Sequence, residues 1–270
     1  MKKQEIKSVI KKWYSALNFP ETMDSDFEKA LDAFEADPSV TLENYNTKSQ
    51  NGKENLLYFL YFCEELARKY KEKNIPQSIL LDTLGDIPVW TKTWSGIKGE
   101  LYLGELEWLK RHLGMRLFKL GRLQFCIADS EFDIPQKGIA KGDAVVEVHI
   151  PEGEPLDTEA CKLSVNRARE FFKEFFPQYD YKLFTCHSWL LDASLSEFLS
   201  PNSNILKFAN MFTVVRNDPS DAIFGYIFKW GTTRREAMEW QTSSSLSEKI
   251  KSAVLNDREF YESLGYINKL

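Results

Sequence analysis

A chain of 270 residues is longer than one ordinary hydrophobic core, and at roughly 150 residues per domain it fits two domains better than one. Its 35 basic and 40 acidic side chains are mixed along the whole length to a net charge of -5, so no basic stripe is available for a phosphate backbone and no nucleic-acid partner is expected. Hydrophobic residues at 43% can fill a real interior, yet the longest markedly apolar run, residues 56–63, is far short of the ~20 residues that span a bilayer.

The opening MKKQEIKSVIKKWY lacks the continuous apolar core of a signal peptide, so a cytoplasmic protein with no membrane partner is expected. Ile6, Val9, Ile10, Trp13, Tyr14 and Leu17 recur at helical spacing and share one face. Ser25 and Glu28 stand at capping-box spacing around Phe27, Ala30, Leu31 and Phe34, which predicts a second helix. Asn51-Gly52 separates it from a third, over about 54–71. Pro76 suits the first turn of a helix carrying Ile79, Leu80, Thr83 and Leu84, and Pro88 is expected to end or bend it. Leu106, Leu109 and Leu113 mark a further helix, with His112 beside the leucine stripe in a surface or interdomain position. Trp90, Trp94 and Trp108 read as packing residues of a core or domain interface rather than as a pocket.

Near Phe118 the apolar period changes from about 3.6 to 2 in GRLQFCIA (121–128). Further strands are predicted at DAVVEVHIP (143–151), YKLFTCHSWLL (181–191), MFTVV (211–215) and AIFGYIFKW (222–230). The last two flank RNDPSD and are expected to form a hairpin. EACKLSVNRAREFFKEFF carries Ala160, Leu163, Ala168, Phe171, Phe172 and Phe175 at helical spacing and makes a crossover between strands. A helix over 195–210 follows, and Ser245 with Glu248 offers a capping box before a closing helical segment. The expected fold is an all-helical domain over 1–117, then a mixed α/β or α+β sheet domain with flanking helices over 118–270. Cys63, Cys126, Cys161 and Cys186 form no CxxC pair and read as reduced core fillers; with three scattered histidines, no metal is predicted.

From Gly121 onward, two strands, helix, strand, helix and hairpin resemble the later elements of an acyltransferase of the GNAT superfamily. The segments YFLYFCEELARKY, LGDIPVW, ELEWLKRHLGMRLFKLGRLQF and VVEVHIPEG resemble, over nearly the whole chain, a bacterial acyltransferase family with a helical N-acyltransferase N-terminal domain and a GNAT-like C-terminal domain. The resemblance implies acyl-CoA, acetyl-CoA for instance, as co-substrate and an amine of a small molecule or peptide as acceptor. GNAT enzymes hold the pyrophosphate of CoA on backbone N–H groups of a Gly-rich loop and the next helix N-terminus. The matching place here reads IPEGEPLDTEA, which implies cofactor contacts at His149, Ile150, Gly153 and Thr158. That turn also carries Glu152, Glu154, Asp157 and Glu159, which satisfy the helix dipole themselves, with Asp157 as N-cap, and repel a phosphate. The tyrosine that GNAT enzymes often use as general acid has no counterpart in SEFLSPNSNILKFANMF.

Alternate residues of a strand share a face, so Glu147 and His149 point together, away from Val146, Val148 and Ile150. An imidazole beside a carboxylate suits removal of a proton from an attacking amine near neutral pH, which makes this the candidate base pair. The alternative is an ion pair with Arg122 on a face that meets solvent or the helical domain. Arg122 and Gln124, alike in parity on the preceding strand, are candidates to bind the acceptor. Cys186 would complete a thiol, imidazole and carboxylate set if it met Glu147 and His149; otherwise it is a small buried hydrophobe. Ser188 or Cys186 is the candidate donor of a proton to the leaving thiolate. His187 faces away from Cys186 and reads as a satisfied core histidine or a substrate contact.

Two functions follow from these residues. One is a GNAT-like N-acyltransferase, with the oxyanion held by backbone N–H groups at 148–150. The other, favoured by the acidic turn, is a non-catalytic small-ligand or protein-binding module on a degenerate GNAT fold.

Overall fold

A computed structural model describes residues 3–242 and 244–269. The chain divides into two compact units: the first runs to Leu120 and takes in Gln124–Cys126, and the second takes in Gly121–Leu123 and everything from Ile127 on.

The first unit opens with α1 (Lys3–Ala16), which buries Ile6, Ile10, Trp13, Tyr14 and Leu17 along the predicted face. Tyr14 stacks on Phe27 of α2 (Asp24–Ala33) at 3.6 Å and donates its hydroxyl to Asp24 at 3.0 Å. The Ser25–Glu28 capping box does not form. A 3-10 turn at Glu21–Met23 runs straight into α2, which leaves Met23 at the cap, while Asp24 and Asp26 meet the helix dipole. Asn51, predicted as a separator, caps α3 (Gly52–Glu72) by accepting the Glu54 N–H at 3.2 Å. Residues 55–60 of α3 are buried on every face, which makes it the central helix of this unit. Buried Asn55 is satisfied by the Tyr45 hydroxyl at 2.7 Å and the Leu103 carbonyl at 3.1 Å.

Gly85 separates α4 (Gln77–Leu84) from α5 (Asp86–Lys98). Pro88 lies in the first turn of α5 instead of ending α4, a position where the missing N–H has no intrahelical partner to lose. The last helix, α6 (Leu106–Leu113), brings His112 inward. Instead of reaching a surface, His112 is fully buried, with Nε2 2.9 Å from Asp86 Oδ2 and Nδ1 3.2 Å from the Trp108 carbonyl. Trp108 Nε1 donates to the same Asp86 oxygen at 3.2 Å. Burial alone would raise the Asp86 carboxyl, but hydrogen bonding and charge from His112, with Trp108, hold it below its ordinary value.

The second unit carries most of a six-stranded sheet in the order β1 (Leu117–Lys119), β2 (Gln124–Asp129), β3 (Ala144–His149), β4 (Leu183–Ser188), β6 (Tyr261–Asn268), β5 (Thr213–Pro219). β3 and β4 are parallel, and β6 runs antiparallel to both of its neighbours. The crossover helix α7 (Thr158–Phe175) starts at Asp157, which accepts the Ala160 N–H at 2.8 Å. Its buried stripe is Cys161, Ser164, Val165, Ala168, Phe171 and Phe172, whereas Leu163 is 57% exposed.

Several predicted elements change identity. Residues 222–230 are not a strand: α9 (Ala222–Ile227) forms there and buries Ile223 and Phe224, the latter against Phe260. The expected hairpin is therefore absent among the described residues, and β5, extended through Arg216, Asn217, Asp218 and Pro219, pairs with β6 instead. Trp189–Leu191 leaves the third predicted strand as a 3-10 turn. The helix expected over 195–210 is a 3-10 turn at Ala193–Glu197 followed by a short α8 (Asn204–Ala209). After α10 (Arg234–Glu239), α11 (Ser245–Leu255) is capped by Ser244 and Ser247, one residue earlier than the predicted box. Gly265 of β6 allows close approach: a Cβ there would lie 2.9 Å from both Leu191 and Phe212.

All four cysteines are buried, and none of them is in a disulfide. Among the described residues no helix is long and apolar enough to cross a membrane.

The Asp86–His112 pair sets a pH dependence. Because the folded carboxyl lies below its unfolded value, its stabilisation is complete above the ordinary carboxylate range and is lost as pH falls through it. Asp86→Asn takes the charged acceptor away from buried His112 and Trp108, and urea unfolding at pH 7 should show a loss of about 1–3 kcal/mol. The gap between wild type and variant should narrow below pH ~4; a gap that is the same at pH 7 and pH 3 contradicts this account.

Candidate active site

The register of β3 on β4 pairs Val146 with Phe184 and Glu147 with Thr185. Alternation then places Glu147, His149, Thr185 and His187 on one face, and Val146, Val148, Phe184, Cys186 and Ser188 on the other. The paired ladder takes in those two residue pairs, while β3 runs on to His149 and β4 to Ser188.

On the first face His149 Nε2 lies 3.3 Å from Glu147 Oε2, with the side chains 30% and 23% exposed. The pair is thus sheltered but reachable. Further along the same face His187 Nε2 stands 3.5 Å from Asp218 Oδ2, and Arg216 grips Asp218 through Nε at 2.7 Å and Nη2 at 2.7 Å. The hydrogen bonds from Arg216 hold the Asp218 carboxyl below its ordinary value, against slight burial and with added pull from the charges of Arg216 and His187. Phe132 supports both partners, with His187 edge-on at 5.1 Å and the Arg216 guanidinium 4.6 Å above its ring. Beneath this group Ile134, Ile139, Leu183, Leu264 and Tyr266 form an apolar cluster that also receives Phe132 and Val215.

The other face corrects two expectations. Cys186, 2% exposed, lies away from Glu147 and His149, so it does not complete a thiol, imidazole and carboxylate set with them. Burial, with a smaller effect of the Glu147 charge, pushes its thiol up to about 12, which leaves no thiolate at neutral pH. Ser188 shares that face, and its Oγ accepts the Leu190 N–H at 3.2 Å as the cap of the following turn.

Arg122 and Gln124 are also relocated. Arg122 is 6% exposed and does not pair with Glu147 or await an acceptor; it donates to the backbone carbonyls of Pro155 at 2.9 Å, Pro151 at 3.0 Å and Glu154 at 2.8 Å. Gln124 is buried in the first unit, where its Nε2 has no hydrogen-bond partner among the described residues. Strand parity carried no information about the loop carbonyls that claim Arg122, which lies ahead of β2 rather than in it.

The remaining candidates surround the β3–α7 connection. Ile150 is half-buried after the last residue of β3, and Gly153 has φ +98 with open space where a Cβ would stand. Thr158 opens α7, and its buried Oγ1 has no hydrogen-bond partner among the described residues. Of the four carboxylates in this turn, Asp157 caps α7 and Glu159 pairs with Lys162 at 2.8 Å. A separate groove of about 670 Å³ in the first unit, lined by Val9, Tyr61, Phe62, Arg68 and Leu113 among others, touches none of the predicted site residues.

Residues 117–267 match the family model of the GNAT-like C-terminal domain, and residues 1–115 that of the N-acyltransferase N-terminal domain. The chain belongs to the family with a GNAT-like C-terminal domain. Its fold is shared with solved acyltransferases. One, in complex with decanoyl-CoA and teicoplanin, is 26% identical with a TM-score of 0.70, over 80% of this chain and 66% of that one. A second, in complex with decanoyl-CoA, is 24% identical with a TM-score of 0.78, over 96% and 86%. A third, a mutant in complex with octanoyl-CoA, is 22% identical with a TM-score of 0.77, over 94% and 85%. The GNAT-like chain thus spans 66% of the length of the first of these structures. No curated protein matches the sequence.

The burial of Cys186 and its three fellow cysteines predicts slow labelling of the native protein by a thiol reagent and fast labelling in denaturant. Rapid native modification mapped to Cys186 by peptide mass analysis would overturn the assignment of that thiol to the interior.

Proposed function

We propose that the protein is an N-acyltransferase that moves an acyl group from acyl-CoA to an amine of a small molecule or peptide. The observation that carries this reading is the Glu147–His149 pair, at the end of β3 and directly ahead of the turn into α7, in a chain of this family. Octanoyl-CoA and decanoyl-CoA, held by the similar structures, are donors to try beside acetyl-CoA, and teicoplanin, also held by one of them, is a first acceptor.

In this mechanism the amine reaches the face shared by Glu147 and His149 and gives its proton to the imidazole, whose charge the carboxylate stabilises. The freed nitrogen attacks the thioester carbonyl, whose developing oxyanion is met by backbone N–H groups at the end of β3. The carbon–sulfur bond breaks, and the thiolate takes a proton. We assign that proton to His187 rather than to Cys186 or Ser188, because His187 shares the face of the base pair and has Asp218 beside it. The N-terminus of α7 and the turn before it, with Gly153 and Thr158, would hold the CoA pyrophosphate. The exposed carboxylates of Glu152 and Glu154 favour the second reading, a non-catalytic module for a cationic ligand.

Transfer to a panel of amines, followed by mass spectrometry, decides between them. Wild type should form amide product, His149→Ala and Glu147→Gln should each lose about 100-fold or more in kcat while keeping native circular dichroism, and His187→Gln should lose less. Full activity in both base variants removes their roles. A wild type that neither transfers an acyl group nor gains thermal stability with any acyl-CoA supports the binding module.

A further inference from the structure

We infer that Arg122 is the positioning residue of the donor-phosphate turn: by drawing three carbonyls of residues 151–155 inward, it turns the peptide N–H groups of that turn toward the anion. This rests on the acyltransferase reading above. It gives a role to a buried cation that the acyl-transfer chemistry itself does not use.

Arg122 donates through Nε, Nη1 and Nη2 to three successive stations of the turn, at 2.8–3.0 Å. In a trans peptide the carbonyl and the following N–H point in opposite directions, and no described peptide bond is cis. With the Pro151 carbonyl aimed at the guanidinium, the Glu152 N–H points away from it. The Pro155 carbonyl does the same for the Leu156 N–H. The third carbonyl, of Glu154, precedes Pro155, which has no N–H to misdirect. Those amides then lie on the side opposite the clamp, in the residues that lead into the first turn of α7.

The clamp is itself anchored on both sides. Gly121 has φ +92, and a Cβ there would lie 2.8 Å from Ser164 Oγ, so the chain approaches α7 too closely for any other residue. Leu123 N–H donates to the same Ser164 Oγ at 3.1 Å. The guanidinium is thereby fixed between β2, the turn and α7. A planar fork is required, because a lysine ammonium cannot meet three carbonyls in this geometry. The cation also answers the electrostatic objection raised by Glu152 and Glu154: a buried positive charge held by the backbone of the same turn lowers the repulsion felt by an incoming phosphate. The same cation pulls the nearby Cys161 thiol downward, although burial dominates and leaves it at about 11.

The test separates positioning from general damage by comparing two donors, acyl-CoA and the acyl-pantetheine thioester that lacks the pyrophosphate and nucleotide. In Arg122→Gln the calorimetric Kd for CoA and the KM for acyl-CoA should rise about tenfold or more, since hydrogen bonds to a charged group are at stake. The kcat should stay near wild type, and kcat/KM for acyl-pantetheine should be unchanged; Arg122→Lys should fall between. Equal losses on both donors, or an unchanged CoA Kd in a folded variant, overturn the inference while leaving the acyltransferase reading intact. If both variants fail to fold, the wild type answers by NMR: CoA should shift the backbone amide resonances of Glu152 and Leu156, and no shift at saturation overturns the inference. A wild type that does not bind CoA at all overturns both.

Discussion

The short parallel register of β3 on β4 is the constraint on which the site depends. Because the side-chain period of a strand is two, pairing Glu147 with Thr185 decides the face of every neighbour, and a slip of one residue would exchange them all. One face is dry: Phe184 packs on Tyr181 at 5.1 Å, and Tyr181 on Phe172 of α7 at 5.6 Å. Cys186 belongs to that interior. The other face carries the base pair and the Arg216, Asp218 and His187 group over an apolar floor, which is where polar chemistry can be reached from solvent.

A second constraint acts at the end of β3. The turn into α7 gives three backbone carbonyls to Arg122, which supplies the ordering that a Gly-rich phosphate loop takes from its own backbone. Read as a string, IPEGEPLDTEA looks hostile to phosphate because it shows four carboxylates and a single glycine. In three dimensions Asp157 is spent on the helix cap, Glu159 on Lys162, and a buried cation is held by the backbone of the same turn.

Local patterns in the chain foretold the parts that local physics decides. The α1 face, the Asp157 cap and the parity of Glu147 and His149 depend on residues within one turn or one strand. The parts that failed depend on distant partners. AIFGYIFKW is rich in β-favouring side chains, yet six helical residues are too few to display a 3.6 period, and the sheet position it would have filled belongs to β6. β6 itself, YESLGYIN, mixes Glu, Ser, Gly and Asn and acquires its strand character from β4 and β5 on either side. His112 could not be placed without Asp86, twenty-six residues earlier and at the start of a helix hidden behind Pro88. Arg122 was visible as a candidate, but its carbonyl partners 29–33 residues on were not.

The most direct test of the central claim is a crystal structure of the protein with a non-hydrolysable acyl-CoA analogue. The acyl carbonyl of the analogue should lie on the Glu147 side of β3, with His149 within about 3.5 Å of an acceptor nitrogen or a water in its place. An acyl carbonyl lodged on the Phe184 and Cys186 side, or beyond the reach of His149, would contradict this assignment.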